Sequence, residues 1–393
     1  MPVQPADRAP GSAAAAEAPT TLQAVLALAP GIRAQAERIE RDRRLPVELV
    51  RTLARAGVFR LCVPRALGGE EATPDLLVGV LEALARADGS TGWCAMIGAT
   101  SGVTSGYLPE PEARAIFGGS PEVIAGGVLA PMGSATREGA DYRVTGRWRF
   151  ASGCQHCDWL MGGCIIRDDG PSRARMLLFP AGDAEIVDTW TVSGLRGTGS
   201  HDMVVRDLRV PVTRSVSITD ERPVAEGALY AFPVFGLLAI GIAAVALGIA
   251  RGALDEIERL ATEKTPTAGR RLLAERPVVQ AQIAEAEATA GASRAFLRET
   301  VDEAWSTARA AGAIPIPLRG RLRLAATHAT AASARAVDVA YTAGGGTAVY
   351  AESPLQRAFR DIHVVTQHMM VAPATWELAG RVLLGVDTDT TML

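Results

Sequence analysis

The first third of the chain repeats apolar residues at helical spacing. In PVELVRTLARAGVF, leucine and valine recur three or four positions apart, Pro46 suits the first helical turn, and Gly57 suits a helix end. The run DLLVGVLEALARADGSTGWCAMIGATSGV continues this spacing and is broken at Asp88–Gly89. These patterns predict helices from about residue 31 to residue 118.

The spacing of apolar residues shortens between about residues 121 and 213. The short runs there are rich in β-branched and aromatic residues, and Gly, Asp and Pro turns separate them. They are EVIAGGVLA, YRVTGRWRFA, DWLMGGCII, ARMLLFP and MVVRDLRVP. This segment is predicted to be a β-domain.

Long helical patterns return from about residue 229 and predict a four-helix bundle. They are interrupted by TEKTPTAGRR, by GAIPIPLRG and by the glycines at 344–346. The run Phe235–Leu254 is nearly long enough to span a bilayer, but it contains four glycines and Arg251 and continues into polar sequence. We interpret it as a buried bundle helix.

The expected fold class is therefore α+β. A disordered tail (1–20) precedes an N-terminal all-α domain (21–120), a central β-barrel or β-sandwich domain (121–228) and a C-terminal helical bundle (229–393). The tail has no cationic stretch followed by an apolar block, so no secretory signal is indicated.

Composition limits the partners. The net charge is -3 and the basic residues are scattered, which disfavours nucleic acid, and no membrane association is expected. Five cysteines, an odd number in a large chain, fit a reducing cytoplasm. Cys154 and Cys157 form a CQHC pair, but no second pair has ligand spacing, so no metal is expected.

Four segments in order resemble the acyl-CoA dehydrogenase superfamily. They are AGVFRLCVPRALGGEE, VTGRWRFASGCQHCDW, VSGLRGTGSHDMVVRDLRVP and YTAGGGTAVYAESPLQRAFRDIH, and together they extend over nearly the whole chain. The resemblance implies the fold of that family, although fold alone does not decide the reaction.

The catalytic carboxylate of the dehydrogenases is missing. The resemblance implies a base eight residues after the Asp of the Arg-Asp pair, and counting from Asp361 gives Met369. In some members the base lies at the start of the first bundle helix, but no Asp or Glu occurs between Glu226 and Asp255. A thioester α-proton cannot be removed without such a base.

His368 and Ser152 instead resemble residues of the flavin-dependent monooxygenases built on this fold. The resemblance implies the oxygenase component of a two-component system, in which a separate NAD(P)H flavin reductase supplies reduced FMN or FAD. O2 would add at flavin C4a, and the hydroperoxide would hydroxylate a small aromatic or polycyclic substrate. Ser152 would stabilise that adduct. His368 would polarise or deprotonate the substrate.

Further site residues follow from the same resemblance. Gly345 and Gly346 would contact the cofactor across a subunit interface, which implies a homotetramer. TEKTPTAGRR stands where dehydrogenases hold the adenosine diphosphate of FAD, and this favours FMN or weakly held FAD. The residues expected beside the flavin are Phe150, Ser152, Thr198 and Ser200, and those expected in the substrate pocket are Trp93, His156 and Met369. Strand alternation places Phe150 on the same face as Ser152.

Several alternatives remain open at this point. His363 lies five residues before His368 and would point away from it on one helix, whereas His156 and His201 could also reach the site. The alternative functions are an amine N-hydroxylase, an acyl-CoA dehydrogenase with a relocated base, and a non-catalytic protein that keeps the fold.

Overall fold

The computed structural model of the protein describes residues 20–168, 173–266 and 269–393. Apart from Thr20, the expected disordered tail lies outside these ranges. Within them, six α-helices precede the sheet: α1 (Thr21–Arg33), α2 (Ala36–Asp42), α3 (Val47–Arg55), α4 (Pro74–Ala87), α5 (Gly89–Ser101) and α6 (Glu110–Phe117).

The predicted break between α4 and α5 is confirmed. Asp88 ends α4 and caps α5, because its Oδ1 accepts hydrogen bonds of 2.7 Å from both the backbone N–H and the hydroxyl of Thr91. Gly57 follows α3 with a φ of +83°, a left-handed conformation that glycine adopts without strain. Helix α5 is buried along nearly its whole length, so it forms an inner wall of the protein.

The described residues form one seven-stranded sheet with the order β5-β6-β2-β1-β3-β4-β7. Strands β1 and β3 are parallel, whereas the other neighbours are antiparallel. The short edge strands β5 and β7 have no counterpart among the predicted runs. The strands are β1 (Ala125–Glu138), β2 (Asp141–Ala151), β3 (Trp159–Arg167), β4 (Arg173–Pro180), β5 (Glu185–Val187), β6 (His201–Pro211) and β7 (Ser215–Val216).

The indole of Trp148 fills the centre of this sheet. Its Nε1–H donates a hydrogen bond of 2.7 Å to the carbonyl of Gly163, and the side chain is fully buried. A Cβ atom at Gly133, Gly146 or Gly162 would lie only 2.4 to 2.5 Å from the ring. These three glycines therefore make room for Trp148.

In the described ranges, six helices follow the sheet. They are α7 (Ala228–Ala231), α8 (Val234–Glu263), α9 (Pro277–Ala311), α10 (Ile316–Gly344), α11 (Pro354–Val365) and α12 (Ala374–Leu383). Helix α8 is long and apolar enough to cross a membrane, but 83% of its most apolar window is buried inside the protein. The interpretation of this run as a buried bundle helix is confirmed.

Candidate functional site

Three buried hydroxyl groups meet where strands β2 and β6 pair. Ala151 at the end of β2 lies opposite His201 at the start of β6, and this register brings the flanking residues Ser152 and Ser200 together. Their Oγ atoms are 2.7 Å apart, and Oγ of Ser200 is also 2.7 Å from Oγ1 of Thr198. All three side chains are buried, so the hydroxyl groups depend on one another for hydrogen bonds.

Trp93 connects this hydroxyl cluster to His368. From helix α5, its Nε1–H donates a hydrogen bond of 3.0 Å to Oγ of Ser152. The same indole packs edge to face against the imidazole of His368, with 5.6 Å between ring centroids. The two predicted catalytic side chains therefore lie on either side of one buried indole.

The backbone of Leu195 anchors the other end of the cluster. Its N–H donates a hydrogen bond of 2.6 Å to Oδ1 of Asp361 on helix α11. Its carbonyl accepts from the hydroxyl of Thr198 at 2.8 Å and from Nε1–H of Trp190 at 3.0 Å. Leu195 has a φ of +49°, which is unfavourable for a residue with a side chain, and these hydrogen bonds hold it there.

Phe150 projects from a bulge in β2. The pairing of β2 with β6 shifts register between Trp148 and Ala151, and Phe150 has a φ of +65°. The expectation that strand alternation places it on the face of Ser152 is wrong, because the bulge interrupts the alternation. Phe150 is 63% exposed, and its ring stands perpendicular to that of Trp190, with centroids 6.1 Å apart.

A cleft of about 320 Å³ opens beside this bulge. Two aromatic rings, hydroxyl groups and two guanidinium groups face it, and one of these, that of Arg147, is paired with Asp202 at 2.7 Å. Beside the rings, the guanidinium group of Arg149, which is unpaired among the described residues, suits a planar aromatic group with polar edges and an anionic tail. A flavin has this character, so the residues fit the expected cofactor. The lining residues are Arg147, Arg149, Phe150, Thr189, Trp190, Val192, Ser200 and Asp202.

His368 lies in the turn after α11, not on the helix. The helix ends at Val365, so the expectation that His363 and His368 share one helix is wrong. Its Nδ1 accepts a hydrogen bond of 3.2 Å from the backbone N–H of Met370. Burial, and then the charge of nearby Arg323, lower the pKa of His368 to about 4. The imidazole is therefore neutral at pH 7, and its proton lies on Nε2.

The other histidines have different surroundings. Nδ1 of His201 accepts hydrogen bonds from the backbone N–H groups of Thr189 and Trp190, at 3.2 and 3.3 Å. His201 therefore holds the segment that carries one wall of the cleft. His363 pairs with Asp338 at 2.8 Å, away from the hydroxyl cluster. His156 packs 6.4 Å from the ring of Phe59.

Several other expected site residues lie apart from the hydroxyl cluster. Gly345 and Gly346 follow helix α10, where the Lys264 ammonium donates a hydrogen bond of 2.7 Å to the preceding carbonyl. The side chain of Met369 is 59% exposed. Cys154 and Cys157, for which no metal is expected, lie next to the cluster instead, because their thiols donate to the carbonyls of Gly199 and Gly153.

The sequence patterns did not indicate Trp190, Leu195, the anchoring role of Asp361, or the arginines that line the cleft. Asp361 was noted only as the start of a count, although an acid inside an otherwise apolar helix face is itself a signal. Trp190 and Leu195 lie in an irregular loop, where no periodicity marks them. Their importance comes from backbone hydrogen bonds that a sequence does not display.

Two protein-family models match the chain. The model described as the N-terminal domain of acyl-CoA dehydrogenase matches residues 26–108. The model described as the C-terminal domain of acyl-CoA dehydrogenase matches residues 240–373. The matches cover the helical regions on both sides of the sheet.

Known proteins match over nearly the whole length of the chain. Indole-3-acetate monooxygenase of Pseudomonas putida is 34% identical over 95% of this chain and 96% of that protein. The FADH2-dependent resorcinol hydroxylase, oxygenase component, of a Rhizobium species is 30% identical over 90% of this chain and 91% of that protein. The crystal structure of the HsaA monooxygenase from Mycobacterium tuberculosis has a TM-score of 0.89 at 30% identity and covers 95% of this chain and 99% of that one.

Proposed function

The chain belongs to the acyl-CoA dehydrogenase superfamily, among the flavin-dependent monooxygenases of this fold, and we propose that it hydroxylates a small aromatic molecule with reduced flavin from a separate reductase. The resemblance read from the four sequence segments is confirmed. The aromatic substrate class is supported by the relatives, which are named for indole-3-acetate and resorcinol.

The arrangement around Trp93 carries the proposal. A serine hydroxyl touches one edge of the indole, and a neutral imidazole packs against the ring. Ser152 is thereby fixed beside the cleft proposed for the flavin, and His368 is fixed one ring away. Such a separation suits a reaction in which one side chain contacts the cofactor and the other contacts the substrate.

The cleft beside Phe150 is proposed to hold the flavin. A reduced flavin supplies the electrons with which O2 is activated. Phe150 and Trp190 would contact its ring system, and the guanidinium group of Arg149 would attract its phosphate, whereas that of Arg147 is paired with Asp202. A relative named as FADH2-dependent supports FAD, whereas TEKTPTAGRR in this chain supports a weakly held cofactor.

His368 is proposed to donate a hydrogen bond to the substrate. Because Nδ1 already accepts from Met370, the neutral ring has Nε2–H free to donate. An oxygen atom of the substrate, such as that of a phenol or a carboxylate, could accept this hydrogen bond, which would orient the ring and polarise the oxygen as the ring is attacked. Of the two roles expected for His368, this geometry favours polarising the substrate over deprotonating it.

The residue at the position of the dehydrogenase base supports a reaction other than thioester dehydrogenation. Met369 stands where the dehydrogenase base is expected, and its thioether cannot accept a proton at neutral pH. Asp361, a buried acid on helix α11, accepts the N–H of Leu195. We therefore expect no acyl-CoA substrate.

We further propose a homotetramer located in the cytoplasm. Val349 and Tyr350, just after Gly345 and Gly346, expose 68% and 64% of their surface. Exposed apolar side chains beside glycines expected at a cofactor support a subunit interface there.

A reconstituted reaction tests the proposed function. The purified chain would be incubated with NADH, a flavin reductase, FMN or FAD, and a panel that includes phenols, indole-3-acetate and primary amines. We expect aromatic products one oxygen heavier by mass spectrometry, with NMR showing whether oxygen is on carbon or nitrogen. Anaerobic bleaching of oxidised flavin by an acyl-CoA at a catalytic rate would contradict the proposal.

A further inference from the structure

The hydroxyl cluster has only one arrangement of protons that satisfies all its contacts. A hydroxyl group donates one hydrogen bond, whereas a carbonyl oxygen only accepts. The hydroxyl of Thr198 lies 2.8 Å from the carbonyl of Leu195 and must donate its hydrogen bond to it. The contact between Thr198 and Ser200 then requires Ser200 to be the donor.

The same argument extends to Ser152. Since the proton of Ser200 is directed to Thr198, the 2.7 Å contact between Ser200 and Ser152 requires Ser152 to donate. Ser152 also accepts the indole N–H of Trp93 at 3.0 Å. Its proton and one lone pair are thus used within the protein, and a single lone pair remains for any ligand.

The fixed end of this chain is the carbonyl of Leu195. Its N–H is held by Asp361 at 2.6 Å, and its carbonyl also accepts from Trp190. Leu195 is buried, so solvent does not compete for the carbonyl. If the three hydroxyl groups donated in the opposite direction, no proton would lie between Thr198 and this carbonyl, and one buried hydrogen bond would be lost.

We propose that Thr198 and Ser200 are positioning residues that make Ser152 a hydrogen-bond acceptor and thereby make the site selective for reduced over oxidised flavin. Flavin N5 carries a hydrogen when reduced and only a lone pair when oxidised. An acceptor at Ser152 matches the first and repels the second. This inference rests on the proposed function, because it assumes that the flavin edge meets Ser152.

Binding of the two redox states tests the inference without turnover. The full-length protein would be titrated anaerobically with reduced and with oxidised FMN and FAD, and each Kd measured from flavin absorbance and fluorescence. Wild type should bind the reduced form more tightly. Thr198→Val keeps the side-chain shape but removes the hydroxyl that accepts from Ser200. Ser200 can then donate to Ser152, and the proton of Ser152 becomes available to a ligand. The ratio of oxidised to reduced Kd should fall by roughly 3- to 10-fold, the value of one hydrogen bond.

A second variant and a matched control sharpen the result. Ser200→Ala cuts the chain next to Ser152 and should lower the ratio to the same extent. Thr300→Val removes an equally buried hydroxyl on helix α9, which donates to the carbonyl of Phe296 at 2.8 Å and belongs neither to the hydroxyl cluster nor to the cleft, and it should leave the ratio unchanged.

The outcomes separate this inference from the proposed function. If wild type binds neither form of either flavin, the proposed function fails. Thr198→Val and Ser200→Ala should first show the circular dichroism and Tm of wild type. If wild type binds reduced flavin and both variants have the same ratio of oxidised to reduced Kd as wild type, the direction of the hydrogen bonds does not select the redox state.

Discussion

At the scale of single residues, His368 shows how a backbone hydrogen bond can choose between two chemical roles. The sequence leaves both roles open, because a histidine can serve as base or as donor. The N–H of Met370 occupies Nδ1 and so leaves Nε2 as the donor. This contact is set by the turn after α11, and nothing in the local sequence pattern reveals it.

Two substitutions of His368 separate these roles. His368→Ala removes the donor and should lower the hydroxylation rate by roughly 10²- to 10³-fold, as the loss of an oxyanion donor does. His368→Gln retains an N–H donor but cannot act as a base at neutral pH, so it should recover part of the lost rate. Steady-state product formation measures both. If Gln is as inactive as Ala while both variants fold and bind flavin, the donor role is wrong.

Partly buried histidines also make stability depend on pH. Burial lowers the pKa of His156 to about 4, so between pH 4 and 6.5 the unfolded chain binds a proton there that the folded chain does not. Stability should therefore fall as pH drops through this window, by up to about 1.4 kcal/mol per pH unit from this residue. Urea unfolding of wild type and His156→Gln at pH 7 and pH 5 isolates the effect. The variant should lose less stability on acidification, and equal losses would contradict the prediction.

At the scale of elements, periodicity predicts most helices and strands because burial of one face repeats along them. The break at Asp88–Gly89, the buried helix α8 and the main strands of the sheet follow from such patterns. The short strands β5 and β7 were missed, since two or three residues carry no period. The bulge at Phe150 was also missed, because a positive φ at a non-glycine residue leaves no mark in the sequence.

Helix α11 supports the hydroxyl cluster through Asp361. Asp361→Ala should leave the buried N–H of Leu195 without an acceptor and lower the free energy of unfolding by about 1–3 kcal/mol. Asp361→Asn keeps an oxygen acceptor and should retain both stability and a high yield of product per O2 consumed. Urea unfolding and the ratio of product to H2O2 measure these effects. Equal damage by both variants would mean that the charge, not the hydrogen bond, is required.

The same carboxyl should respond to pH. Burial raises the pKa of Asp361 to about 7, so between its ordinary value and pH 7 the folded chain retains a proton that the unfolded chain loses. The free energy of unfolding that this retained proton contributes is therefore lost as pH rises through 7. Asp361→Asn has no such group, and its stability relative to wild type should increase from pH 6 to pH 8 in urea unfolding. A constant difference would contradict the raised pKa.

At the scale of the whole molecule, the exposed residues after helix α10 bear on assembly. Tyr350→Arg should weaken the proposed tetramer and, if Gly345 and Gly346 contact a partner's cofactor, also raise the Kd for reduced flavin. Light scattering after gel filtration gives the mass, and anaerobic titration gives the Kd. A wild-type protein with the mass of one chain would refute the proposed interface.

The series of hydrogen bonds through the hydroxyl cluster also restricts which segments can be recombined between related proteins. It runs from Trp93 in the N-terminal helices through Ser152 and the loop at Leu195 to Asp361 in the bundle. A hybrid gene that takes one of these regions from a relative would combine contacting residues from two proteins whose hydrogen bonds at these positions can differ. We expect functional recombinants to keep all four positions from one parent, or from parents that agree at them, wherever their crossover points fall.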